Sequence, residues 1–212
     1  MKAKLLLGIG LLVLTYLAFG CQDQGLDAST TGQIEMMVTS TPVSSAPFGS
    51  MTQRAIAAAE VTVARVFLMP MSGFSGEDVE VFSSSVGKTF DLMSLQNGLQ
   101  AELAVASVPA GRYEQVRVVL SGARVTLAAG FTFPDGSTTQ VLNTPSAEQS
   151  GIKVLLRSDV DIPAGSLTTL VMDINVTQNF NVQMDTQSET VVRRVSFTPV
   201  VQEFRRDMGP AE

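Results

Sequence analysis

The 212-residue chain has no histidine and no tryptophan, one cysteine and two tyrosines. Without histidine or a second thiol, zinc, copper and haem sites lose their usual ligands. Catalysis by a Ser-His-Asp or Cys-His arrangement is excluded with them. A single cysteine closes no internal disulfide, so the folded part must be stable through packing alone. Positive charge is scarce too: 14 Lys and Arg stand against 20 Asp and Glu, a net charge of −6. Nucleic acid and anionic lipid headgroups both demand clustered Lys and Arg, and nucleic-acid binding is excluded on that ground.

Lys2 and Lys4 give the chain a basic start, followed by an apolar run from Leu5 to Phe19. The run is roughly fifteen residues, short of the roughly 20 that a helix needs to cross the hydrocarbon core. Residues 1–20 therefore read as a signal peptide. Their ending, Leu17-Ala18-Phe19-Gly20-Cys21, resembles a bacterial lipoprotein signal. That resemblance implies cleavage between Gly20 and Cys21, a diacylglyceryl group on the Cys21 thiol and, often, an acyl group on the new amino terminus. It also explains an odd cysteine in an exported chain. Each buried methylene contributes about 0.8 kcal/mol and one chain alone binds only marginally, so two or three chains imply a permanent membrane anchor. Residues 21–32 then read as a lipidated flexible tether, polar and bearing Gly, Ser and Thr, with a reach of roughly 18 Å. Removal of Lys2 and Lys4 leaves twelve basic residues against twenty acidic ones, or −8. The expected location is a bacterial cell envelope, lipid-anchored to a membrane. Gln22 after the cysteine is compatible with the outer membrane where the cell has two.

Residues 33–204 suit one domain, large enough to bury a core, with 205–212 as a disordered tail. From Gly32 onward, short apolar or alternating segments lie between Gly, Pro, Asn, Asp and Ser turns, the pattern of an all-β sandwich or barrel. In Gln33 to Thr39, Ile34, Met36 and Val38 share one face. Thr41 to Ala59 reads as a long loop. Val61 to Met69 reads as a central strand covered on both faces. Val79–Phe82, Lys88–Leu95, Val116–Leu120, Arg124–Leu127, Thr138–Leu142, Ile152–Leu156, Leu167–Val176 and Val191–Phe204 read as further strands. Leu99–Val108 is either extended or a short helix, because Ala101, Glu102, Leu103 and Ala104 favour helix. Asn97-Gly98 and Asp135-Gly136 are turn signals. About nine to eleven strands are expected.

Val108-Pro109-Ala110-Gly111 and Ile162-Pro163-Ala164-Gly165 each precede a strand by the same interval. Pro suits the second position of a type I turn and Gly the fourth. Two similar corners of a sandwich, or an old duplication, would explain the echo; corners are the favoured reading.

Asp91-Leu92-Met93-Ser94-Leu95-Gln96-Asn97-Gly98 and Val108-Pro109-Ala110-Gly111-Arg112-Tyr113-Glu114-Gln115-Val116-Arg117 resemble a bacterial lipoprotein domain, domain of unknown function 4382. So do the later blocks Ser150–Val154, Thr169–Ile174 and Phe197–Val201, and together they extend the resemblance over roughly Gly32 to Gln202. The resemblance implies an exported, lipidated Ig-like or transthyretin-like β-sandwich with no catalytic residues to carry over. Relatives commonly have an acidic turn after the first strand, where this chain has Thr39-Ser40-Thr41-Pro42.

Asp159, Asp161, Asp173 and Asn175 could offer oxygens to calcium, which takes six to eight of them, yet no full calcium loop is present. Alternating acids beside a turn are ordinarily a solvated strand face. A carboxylate-only hydrolase needs just two acids, but nothing in the sequence singles out a pair. Sugar sites stack rings on aromatic faces, and after the leader only Tyr113 and the phenylalanines remain. Tyr113 follows a Pro-Ala-Gly turn, where a tyrosine that packs in the corner and bonds back to backbone is expected. Arg193-Arg194 and Arg205-Arg206 lie in strands, so each pair is expected to divide between two faces as solubility charges.

The expected protein is a lipid-anchored envelope protein whose β-sandwich is a non-catalytic binding or structural module, with no metal and no cofactor. A carbohydrate-binding module is the alternative, and the hydrolase the third reading. Its partners are the membrane through the lipid and an envelope protein or glycan. The working surface is expected at Thr41–Ala59, Gly73–Asp78 and Gly130–Thr139, where strands present loops.

Overall fold

Alternation in the first strand sets the architecture. In β1 (Thr31–Thr39), Ile34, Met36 and Val38 are fully buried while Thr31 and Gln33 face solvent. The period-2 pattern is that of a sheet with one covered face. The structure is a computed structural model, and it describes residues 30–41, 54–71, 77–144 and 152–208, with backbone alone at 152–158 and 202–208. Gly20, Cys21 and the rest of the leader lie outside the described residues. So do most of the tether and most of the first two expected loops.

Two sheets stack around the core. One has the order β11-β8-β1-β4, with β4 (Gln100–Pro109), β8 (Leu167–Asp173) and β11 (Gln202–Met208). Within it β1 runs antiparallel to β4 and parallel to β8. The other is built on β2 (Ile56–Pro70) and β5 (Gly111–Leu127), with β3 (Val79–Asp91) on the outer edge of β2. The far edge of β5 is shared: β7 (Ile152–Ile162) pairs with its first half, and β6 (Thr139–Leu142) with Ala123–Thr126. A two-stranded ribbon of β9 (Phe180–Met184) and β10 (Val192–Phe197) follows a single helical turn, α1 (Val176–Asn179). The all-β sandwich expected from the turn spacing is the observed fold.

Several boundaries move, each for a local reason. Val79–Phe82 and Lys88 onward form one strand, because Ser84 to Gly87 bulge outward against Ala64 between the pairs Arg65↔Ser83 and Val63↔Lys88. The bulge depends on Gly87, at φ +74, where a Cβ would sit 2.4 Å from Thr62 Cγ2. Residues 116–127 are likewise continuous in β5, and Leu99–Val108 is resolved as strand by its pairing with β1. Leu167–Val176 stops at Asp173, where Asn175 caps α1 by accepting from the amides of Thr177 and Gln178. β2 is central, with partners on both edges, but among the described residues no second sheet covers its outer face. Phe67 there is covered by the guanidinium groups of Arg65 and Arg117, at 5.5 and 4.7 Å from its ring centre. Thr31 and Gly32, expected in the tether, already belong to β1. Arg205 to Met208, expected as a disordered tail, belong to β11, because the open edge of β8 gives their backbone partners from Val171 to Thr168.

The two Pro-Ala-Gly tetrads are corners where the chain changes sheet, in opposite directions. The first carries it from β4 to β5, the second from β7 to β8. Both converge on the start of β1: Ala110 N–H donates to Thr30 O at 2.8 Å, and Gly165 N–H to Thr31 O at 2.9 Å. Their turn geometry differs from expectation. In the second, Ser166 N–H donates to Pro163 O, so Pro163 is the first residue and Gly165, at φ +71, the third. Gly32 lies against this corner so closely that a Cβ would stand 2.5 Å from Pro163 O. Tyr113 is buried and donates its hydroxyl to Pro109 O at 2.7 Å, the corner role expected for it.

Candidate functional site

Most buried polar side chains here have a partner that explains them. Asn179 is 1% exposed. Its side chain donates to Asn175 O and Val200 O and accepts from Val200 N–H at 2.6 Å, clamping the link between β10 and β11 to α1. Asp173, one of the four candidate calcium ligands, accepts from the Thr41 amide at 2.7 Å and also from the Thr41 hydroxyl. Asn175, another, donates to Thr41 O. The segment after β1 is thus held at Thr41 by an acid from β8. Asp159 and Asp161 lie on β7, and among the described residues no three Cys, Asp or Glu side chains gather as metal ligands. Tyr113 is sealed in its corner and offers no ring platform to a sugar.

Two buried polar atoms among the described residues lack a partner: Ser40 Oγ, just past the end of β1, and Gln140 Oε1, in a wedge between β6 and β10. The segment before the Asp135-Gly136 turn is bonded to the start of β10: Thr132 N–H donates to Thr190 O, and Val192 N–H donates to Thr132 O at 2.8 Å. The return strand β6 then pairs with β5, not with that segment or with β10. Among the described residues the facing edges of β6 and β10 therefore have no strand partner and leave two adjoining cavities, about 290 and 400 Å³. Leu142, Val195 and Phe133 form an apolar floor, all less than 9% exposed. Phe197 at the far end packs on Phe180, ring centres 5.0 Å apart.

The polar groups of the wedge are the unusual part. Gln140 Oε1 is buried and has no hydrogen-bond partner among the described residues. Arg193 and Arg194 are both exposed, and among the described residues neither makes an ion pair. Their expected division between two faces is corrected by a bulge between Val192 and Arg194, which interrupts the alternation and sets Arg193 on one cavity and Arg194 on the next. Asp135 is close by but occupied. It accepts from the Ser137 hydroxyl at 2.7 Å and the Ser137 amide at 2.9 Å, and these bonds hold its carboxyl below the ordinary carboxylate range.

Of the three loops expected to form the working surface, Gly130–Thr139 is the one fully described, and it forms one end of this wedge. Gly73–Asp78 is described only at Glu77 and Asp78, with Asp78 bonded to Arg117 at 2.9 Å. The arginines read in sequence as solubility charges and nothing there singles out Gln140, because a bulge and an unfilled strand edge leave no mark on residue spacing.

The sequence profile described as "Domain of unknown function (DUF4382)" matches residues 31–192, and the chain belongs to that family. No curated protein matches it. A crystal structure described as a "putative cell adhesion protein" from Parabacteroides distasonis ATCC 8503 is similar at 13% identity with a TM-score of 0.32. The similarity covers 86% of this chain and 53% of that one, so the chain spans about half that protein's length. No helix among the described residues is long and apolar enough to cross a membrane.

Proposed function

We propose that this is a lipid-anchored protein of the bacterial cell envelope whose β-sandwich serves as a non-catalytic binding or structural module. The carrying observation is the basic start, short apolar run and Gly20-Cys21 ending at the head of a chain with no other cysteine. Acylation of the Cys21 thiol accounts for that cysteine and fixes the domain within a tether's reach of the bilayer, roughly 18 Å. The resemblance of the Gly20-Cys21 ending to a lipoprotein signal supports the reading, as does a chain without histidine or a spare thiol for nucleophilic catalysis.

The test is intact-mass analysis of the protein from the membranes of its native cell. A chain that begins at Cys21 and carries a diacylglyceryl adduct is expected, and Cys21→Ala should move the protein out of the membrane fraction. An unmodified thiol on a chain released to the medium would overturn the anchor.

A further inference from the structure

We propose that the wedge between β6 and β10 receives an extended, acidic strand from a partner protein. In this arrangement the strand's main chain pairs with the open edges, and one of its carboxylates lies against Arg193 and Arg194. The inference rests on the reading of the domain as a binding module and names the surface and the chemistry of what binds.

Three independent features converge on that occupant. The first is backbone. Among the described residues β6 has one neighbour, β5, and β10 has one, β9, so β6, and β10 past its link to Thr132, each present an edge of main-chain donors and acceptors. Such edges are templates for another strand, and proteins ordinarily keep them short, charged or covered. Here β6 is short, at 4 residues, yet carries Val141 at 71% exposure beside the wedge. An added strand would cover Val141 and the apolar floor together.

The second feature is charge. Arg193 and Arg194 line the two adjoining cavities and make no ion pair among the described residues, in a chain whose net charge is −6. Each guanidinium matches carboxylate geometry and is able to donate two parallel bonds. At physiological salt the screening length is about 8 Å, so a ligand seated here responds to the local charges, two arginines against the one carboxylate of Asp135, more than to the distant net charge.

The third is the buried, unpartnered Gln140 Oε1. A buried acceptor left without a donor costs free energy, and a main-chain N–H of a docked strand would satisfy it. An anionic glycan would account for the arginines but not for two facing strand edges.

The probe is a library of synthetic twelve-residue peptides that alternate β-branched with randomised residues, offered to the full lipidated chain in detergent micelles. Peptides with Glu or Asp opposite the arginines should be enriched, and their affinity should fall at least about tenfold in the Arg193→Ala/Arg194→Ala variant, as expected on loss of charged contacts at an interface. The variant removes only exposed side chains, and an unchanged melting temperature verifies its fold. N-methylation of alternate amides in an enriched peptide should abolish binding, because it removes main-chain donors while keeping the charge. Failure to enrich acidic peptides, or equal binding of Lys-substituted versions, would overturn the proposal. So would retention of binding by N-methylated peptides, or binding of polygalacturonate with no peptide binding. A partner that the double variant holds as tightly as the original chain would refute the wedge while leaving the broader module reading intact.

Discussion

The corner region at the start of β1 and the wedge between β6 and β10 are built from similar materials and end in opposite states. Around β1 two corners close on each other. The amides of Ala110 and Gly165 are spent on Thr30 and Thr31, Gln33 N–H donates to Ser166 O at 2.8 Å, and the Tyr113 hydroxyl is spent on Pro109. Packing is so tight that Gly32 has no room for a methyl group. At the wedge, among the described residues, the facing edges of β6 and β10 have no strand partner, the buried Gln140 Oε1 has no donor, and two arginines make no ion pair. Folding stability explains the first region completely. It does not explain the second: Ser40 Oγ, just past the end of β1, is also buried without a partner among the described residues, but at the wedge such an atom lies beside open strand edges and exposed arginines, as in a binding surface before its ligand arrives.

Substitutions should separate the two regions by size of effect. Asn179→Ala strips the donor and acceptor that hold Val200 and leaves buried backbone groups unpaired, so a loss of about 3 kcal/mol is expected in chemical unfolding. Gly32→Ala drives a methyl group into Pro163 O and should cost about 2 kcal/mol, with the largest change in hydrogen exchange near Gly165. Tyr113→Phe removes one hydrogen bond and should cost about 1 kcal/mol at neutral pH. Arg193→Ala/Arg194→Ala should change stability by no more than about 0.5 kcal/mol, since neither side chain supports the fold. A stability loss from the arginine pair as large as that from Gly32 would erase the distinction between the regions.

Tyr113 sharpens the comparison through pH. Burial raises its pKa above the ordinary value of 10.0. The unfolded chain therefore loses the phenolic proton first as pH rises, and the stability this group contributes is full below 10.0 and declines through the folded value. Tyr113→Phe should be less stable at neutral pH yet flatter in its alkaline stability profile, read as melting temperature against pH. An unaltered alkaline slope would mean the hydroxyl is not sealed in the corner.

Much of this was legible in the residues. Alternation at Ile34, Met36 and Val38 named the buried face of β1, and the turn at Asn97-Gly98 is present with φ of 63° and 84°. Tyr113 and the two Pro-Ala-Gly corners were readable because turn chemistry is local. What failed was non-local. The bulge at Ser84 to Gly87 looks in sequence like a break between strands, and only pairing with β2 shows one strand passing through it. β9 and α1 are set by Asn175 and Asn179, whose partners lie elsewhere in the chain or satisfy a cap that a strand reading does not look for. Arg193 and Arg194 read as ordinary surface charge because alternation assumes an unbulged strand.

The central contrast, a closed corner against an open wedge, is tested most directly by amide hydrogen exchange on the free protein. The account predicts strong protection at Gln33, Ala110 and Gly165, and fast exchange at those amides of β6 and β10 that face the wedge. Uniform protection across both regions would contradict it, because the wedge edges would then already be paired.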